Sequence, residues 1–266
     1  MNRIILVIVI LLSVCTRSYS LDSLQVRRNY TNAIDKALKK IGEDMPYSAI
    51  DIMESLKDTS KLDNSGYNVL ILAYNVVKKD NEAISLYKEW ENNEALVKEA
   101  TIREKMSMYS GVSIALSHVE RFEESILMME KYIDAIKEIG DKKGLVLAYA
   151  IMSETYENFG DANKALKYLN DAIRLKMDIL DISITDILNE RIYNEELANL
   201  FLSAARCIGR LKNYQEMQRY LTLSCVCGNE NVIDLMKSYG LNYKKGLRSL
   251  KKEFKIEKHN FYEKAY

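Results

Sequence analysis

Glu154 and Glu157 are the residues of this chain whose type and spacing come nearest to chemistry. Three apart on one helical face, two carboxylates can divide acid and base roles if burial raises the pKa of one. No buried setting is legible around them, and acidic pairs at this spacing are ordinarily solvated. His118 and His259 lie far apart, and neither stands in an H-E-x-x-H or comparable ligand spacing. Cys225-Val226-Cys227 differs from the C-x-x-C of redox and zinc sites and has no histidine nearby, so buried thiols serving as small apolar side chains are expected. G-x-G-x-x-G, P-loop and G-x-S-x-G motifs are absent. The expectation is no enzyme, no metal and no cofactor.

The elements that would position these residues are helical. The 266-residue chain is 48% apolar, with one proline (Pro46) and ten glycines, too few turn-formers for a β-sandwich or barrel. Leu, Ile, Ala, Lys and Glu dominate beside 18 Tyr, which excludes collagen, disorder and a disulfide-rich miniprotein. Lys plus Arg and Asp plus Glu are equal at 38 each, so no global field recruits nucleic acid.

Residues 1–20 read as an address. Arg3 precedes an uncharged run from Ile4 to Cys15, and small residues occupy the −3 and −1 places of a cut after Ser20. The run is short of the roughly 20 residues of a spanning helix. A cleaved signal peptide is expected, with a retained anchor as the alternative. Leu12-Ser13-Val14-Cys15 resembles a lipobox, although Val14 is larger than the small residue normal there. A chain starting at Leu21 loses Arg3 and Arg17, leaving 36 basic against 38 acidic residues, and keeps Cys207, Cys225 and Cys227, an odd number. The Lys-, Asn-, Ile- and Tyr-rich composition suggests the envelope of an AT-rich bacterium.

A repeat runs through residues 21–231. Tyr149, Met152, Ser153, Tyr156, Gly160, Ala165, Leu169 and Ala172 follow the order aromatic, large apolar, small, aromatic, then Ala, large and Ala on a second helix. Tyr67, Leu70, Tyr74, Ala83, Tyr87 and Trp90 repeat it, as do Tyr109, Val112, Ser113, Leu116, Ser125, Met129 and Tyr132. A further copy is Phe201, Ala204, Ala205, Ile208, Met217, Leu221 and Ser224, and Ala33, Ala37, Ala49, Met53 and Leu56 give a degenerate first one. The anchors Ala49, Ala83, Ser125, Ala165 and Met217 are 34, 42, 40 and 52 residues apart, the last spacing needing an insertion within 178–196. Small residues belong where paired helices approach closest, and aromatics fill the space between hairpins.

The chain thus resembles the tetratricopeptide repeat family. The resemblance implies an all-α, right-handed superhelical solenoid of four clear hairpins plus the degenerate one. The proline that usually closes each repeat is missing, which permits longer second helices. The resemblance also implies a non-catalytic scaffold that holds a peptide or protein on the concave face lined by first helices. The groove places hold Asn68 and Asn75, Ser110 and Ser117, Glu154 and Glu157, and Asn199 and Arg206. The alternative is that these are solvated helix positions. The carboxylate clamp of chaperone-binding members is absent, since its places hold Asn68, Ser110, Ile114 and Glu154.

Residues 232–266 form a basic tail, with Lys244, Lys245, Arg248, Lys251, Lys252, Lys255 and Lys258 against Glu253 and Glu257. Leu247, Leu250, Phe254 and Phe261 fall on one stripe, so either a capping helix or peripheral contact with an anionic membrane is expected. The function expected is protein binding outside the cytoplasm, periplasmic or secreted, without nucleic acid. A sensor module of a membrane signalling system is the rival reading. A helical hydrolase would have only Glu154 and Glu157 to work with.

Overall fold

The computed structural model describes residues 24–59 and 61–256, and every described element is a helix or a turn. The expectations for residues 1–20, Cys15 and the cut after Ser20, and for Lys258, His259 and Phe261, lie outside the described residues. The chain divides into two compact units between Ile139 and Gly140.

The first unit holds α1 (Leu24–Gly42), α2 (Pro46–Thr59), α3 (Asn64–Val76), α4 (Asp80–Glu91), α5 (Glu94–Glu99), α6 (Ile102–His118) and α7 (Phe122–Ile139). The second holds α8 (Lys142–Phe159), α9 (Ala162–Leu180), α10 (Ile184–Glu190), α11 (Glu195–Arg210), α12 (Tyr214–Val226), α13 (Val232–Ser238) and α14 (Tyr243–Glu253). Pairs α1/α2, α3/α4 and α6/α7 are the hairpins of the first unit, and α8/α9 and α11/α12 those of the second. The short helix α10 occupies the segment where the repeat spacing required an insertion.

Local chemistry starts the helices. Asp63, Asp141, Asp161, Asn194, Asn213 and Asn242 each cap a helix by accepting from a backbone N–H three residues on. Thr101 with Glu104 and Ser183 with Asp186 form reciprocal capping boxes. Pro46 opens α2, where the missing N–H costs nothing.

All five hairpins close in the same way. Asp44, Lys78, Glu120, Gly160 and Lys212 lie in the left-handed region, at φ 60, 59, 62, 91 and 60°. The next N–H in each case returns to the carbonyl five residues back: Met45 to Lys40, Lys79 to Tyr74, Arg121 to Leu116, Asp161 to Tyr156 and Asn213 to Ile208, at 2.8–3.2 Å. That closure satisfies carbonyls a helix end would otherwise leave unpaired.

The repeat positions form the cores. Ala49, Ala83, Ser125 and Ala165 have no exposed surface, so a larger side chain there would push two helices apart. At Ser125 the helices approach until Oγ donates to the Ser113 carbonyl at 2.8 Å and the two hydroxyls sit 2.9 Å apart. Met217 fills the same place in the last hairpin because its partner helix offers Gly209, where a Cβ would lie 3.1 Å from the Met217 sulfur. Aromatics fill the remaining space. Tyr156 stacks on Tyr168 with centroids 5.7 Å apart, and Phe201 meets Tyr220 edge-on at 6.0 Å. Trp90 is buried with Nε1 donating to Asn64 Oδ1 at 2.7 Å, while Asn64 Nδ2 donates to the Leu96 carbonyl at 3.1 Å. No described helix is long and apolar enough to cross a membrane.

Candidate partner-binding face

In the first unit, α3 and α6 are the first helices of neighbouring hairpins, and Asn68, Asn75, Ser110 and Ser117 sit on them. Asn75 Nδ2 donates to the Gly111 carbonyl at 2.9 Å, and Asn68 Nδ2 donates to the Asn64 carbonyl at 3.0 Å and, more weakly, to that of Glu104 at 3.4 Å. Each amide therefore already spends at least one donor on a backbone carbonyl of the first unit. Both Oδ1 atoms are buried without a partner among the described residues. Ser110 is buried, its hydroxyl turned toward the Ser107 carbonyl at 3.5 Å, and Ser117 is half-buried.

The approach that makes this possible is set by Gly111. A Cβ there would stand 2.8 Å from Ile71 Cγ2, closer than packed carbons come. The amide of Asn75 reaches the backbone of α6 because glycine leaves the two helices room to close.

The second unit differs. Glu157 on α8 is tied to α11: its Oε1 accepts from the Cys207 thiol at 2.6 Å, and Arg210 lies 3.8 Å from Oε2 and donates to the Glu157 carbonyl at 3.4 Å. Burial first, and the Glu157 carboxylate second, push the Cys207 thiol up to about 12. Glu154 on α8 and Asn199 and Arg206 on α11 are exposed, with no side-chain hydrogen bond or ion pair among the described residues. The two carboxylates singled out for acid–base work are thus separated in role, Glu154 in solvent and Glu157 in a strut.

Chemistry is scarce elsewhere in the described residues. His118 Nδ1 lies 2.9 Å from Asp80 Oδ1 on an exposed surface, linking the end of α6 to the start of α4. No three described His, Cys, Asp or Glu side chains cluster as metal ligands. Two depressions of the second unit, of about 500 and 450 Å³, are lined by none of the eight groove residues. Sequence reasoning missed Gly111, Cys207 and Arg210 as partners of groove positions. A glycine in mid-helix at Gly111 was the one signal that could have pointed to a close approach.

Helical hairpins whose closest contacts fall on a recurring set of small residues define a repeat protein. No protein-family model matches the chain, and no curated protein matches it. Solved structures do. A signal-transduction ATPase with numerous domains from Pyrococcus horikoshii, which carries a tetratricopeptide repeat sensor, superposes with a TM-score of 0.63 at 18% identity, over 86% of this chain and 36% of that one. TPR-like repeats assigned to a kinesin light chain of Podosopora anserina give 0.62 at 11% identity, over 76% and 96%. PilF of Pseudomonas aeruginosa gives 0.54 at 12% identity, over 85% and 92%. The chain has the tetratricopeptide-repeat fold, all-α and built of TPR hairpins.

Proposed function

We propose that the chain is a non-catalytic protein-interaction scaffold that works outside the cytoplasm and holds a peptide or protein segment on the first-helix face of its hairpins. The observation that carries this is the trio Glu154, Asn199 and Arg206, exposed and unengaged at groove places of α8 and α11. A carboxylate, an amide and a guanidinium offer an acceptor, a mixed group and a fixed fork of donors, enough to select both register and charge in an extended segment. Within the second unit Glu157 holds this face in shape, and in the first unit Asn68, Asn75, Ser110 and Ser117 do the same for the first-helix face there. Export rests on the Ile4–Cys15 run and the small residues before Leu21, with lipidation at Cys15 as the variant form. No cofactor enters the reading. A contact of the basic C-terminal helix with a membrane surface belongs to it.

The test is affinity capture from envelope extract with the chain from Leu21 as bait, beside a bait carrying Glu154→Ala, Asn199→Ala and Arg206→Ala. A partner held by the first and lost by the second, with unchanged helical circular dichroism, is the expected result. Equal retention by both baits sinks the groove assignment.

A sensor or regulatory module of a membrane signalling system is the second reading. It is favoured by the likeness to the Pyrococcus horikoshii protein, whose repeats are a sensor and whose length this chain spans by about a third. Retention of residues 4–15 in the mature protein would support it.

A further inference from the structure

The amphipathic C-terminal helix has lost its apolar face to the fold. Gly246 and Leu250 of α14 are buried, and Tyr243, Leu247 and Phe254 are half-buried. A Cβ at Gly246 would overlap the Thr222 hydroxyl of α12. Gln218 Nε2 donates to the Asn242 carbonyl at 2.7 Å, Arg219 pairs with Glu253 at 2.8 Å, and its guanidinium lies 5.7 Å from the Phe254 ring centroid. The stripe that would enter a bilayer is therefore occupied by α12.

What α14 leaves in solvent is cationic. Lys244, Lys245, Arg248 and Lys252 are exposed, Lys251 is half-buried beside them, and Lys255 follows directly after the helix. None of the six has an acidic partner within ion-pair distance among the described residues, and Glu253 is engaged by Arg219. Lys244, Arg248 and Lys251 are separated by four and three residues, so they line up as a ridge along one face.

We infer that this ridge binds the anionic headgroups of a lipid surface by charge alone, without insertion of the helix. The inference rests on the membrane contact in the reading above and assigns its chemistry. An interfacial helix that inserts needs a free apolar face, and this one has none. A convex ridge offers no groove to grip an acidic peptide and no aromatic platform for bases, whereas a flat anionic surface meets several of its cations together. The charge is local, since the whole chain is balanced.

The experiment is vesicle co-sedimentation of the chain from Leu21, which contains every described residue. It binds vesicles of phosphatidylcholine mixed with phosphatidylglycerol at low salt, fails to bind phosphatidylcholine alone, and is released at about 0.5 M NaCl, where charges are screened within ~5 Å. Lys244→Gln, Lys245→Gln, Arg248→Gln and Lys252→Gln together weaken binding by about 600-fold, at about fivefold per basic group, with circular dichroism unchanged. Gly246→Leu, which forces α14 off α12, gains salt-resistant binding to neutral vesicles. Glycerol phosphate at equal phosphate concentration does not compete, because the ridge reads a surface and not a single phosphate. Salt-resistant binding by the unsubstituted chain, competition by glycerol phosphate, or no binding to anionic vesicles overturns the inference. The assay contains no protein partner, so those outcomes leave the scaffold reading to its own capture test.

Discussion

The side-chain amide of Asn75 donates to the backbone carbonyl of Gly111 at 2.9 Å, joining the first helices of two successive hairpins. A position that repeat logic assigns to a ligand is here part of the frame. Asn75→Ala removes one hydrogen bond and also an unpartnered buried oxygen, so it lowers stability by only about 1 kcal/mol. Gly111→Ala places a methyl against Ile71, and overpacking outweighs the gain in helix propensity, for a net loss of about 1–2 kcal/mol. Urea unfolding followed by circular dichroism checks both; a stabilised Gly111→Ala would contradict the close approach.

The common turn makes a prediction of opposite signs. Gly160→Ala forces a Cβ into the left-handed region and costs about 1 kcal/mol. Glu120→Gly and Lys212→Gly relieve that strain, and each raises the urea midpoint by up to about 1 kcal/mol equivalent. If all three substitutions shift the midpoint in the same direction, the shared closure is not what sets their energetics.

Trp90 is the only tryptophan, and its indole bonds a buried Asn64. Asn64→Ala leaves the indole N–H without its acceptor, while the Leu96 carbonyl keeps the Ala100 N–H, at a cost of about 1–3 kcal/mol. The fluorescence of that single indole reports the first unit directly. Unchanged stability with unchanged emission would show that the network contributes nothing.

The buried thiols predict alkaline sensitivity. Burial raises Cys207 to about 12, Cys225 to about 11 and Cys227 to about 12, from an ordinary value of 9.0. Above pH 9 the unfolded chain loses these protons while the folded chain keeps them, so the unfolded state binds fewer protons and stability falls as pH rises. The contribution is complete below that pH and is lost as the pH climbs through the folded values. Each thiol weakens the fold by up to about 1.4 kcal/mol per pH unit in that window. Tyr30, Tyr67, Tyr74 and Tyr87, also raised chiefly by burial, add to the same fall at higher pH. Denaturation at neutral pH and near pH 10–11 measures it, and all three thiols resist Ellman's reagent until unfolding. A midpoint that stays level to pH 11 would show the thiols to be solvated.

The class of fold was legible because close helix packing leaves a strict imprint. Ala83, Ser125 and Ala165 recur where no larger group fits, and Tyr67, Tyr74 and Tyr156 recur where hairpins need filling. The turns were only partly legible. Gly160 announces its conformation, whereas Glu120 and Lys212 adopt it against their preference, because the return hydrogen bond and the packing of the two helices fix the backbone there. The insertion was legible as a spacing, and its content, α10, was not.

The candidate face divides the two kinds of information more sharply. Local periodicity was enough to locate the repeats and to say which side chains occupy the first-helix positions. It did not determine which of those side chains are free. Asn75 and Asn199 are the same residue type on first helices of their hairpins, yet one bonds a neighbouring backbone and the other stands in solvent. For Asn75 the deciding quantity is the distance to the next first helix, α6, which Gly111 makes short. In the same way, the basic helix α14 reads as amphipathic from its periodicity, but only its docking on α12 decided that its cations, and not its leucines, face outward. Such distances arise from packing between segments far apart in the chain, and local sequence carries no measure of them.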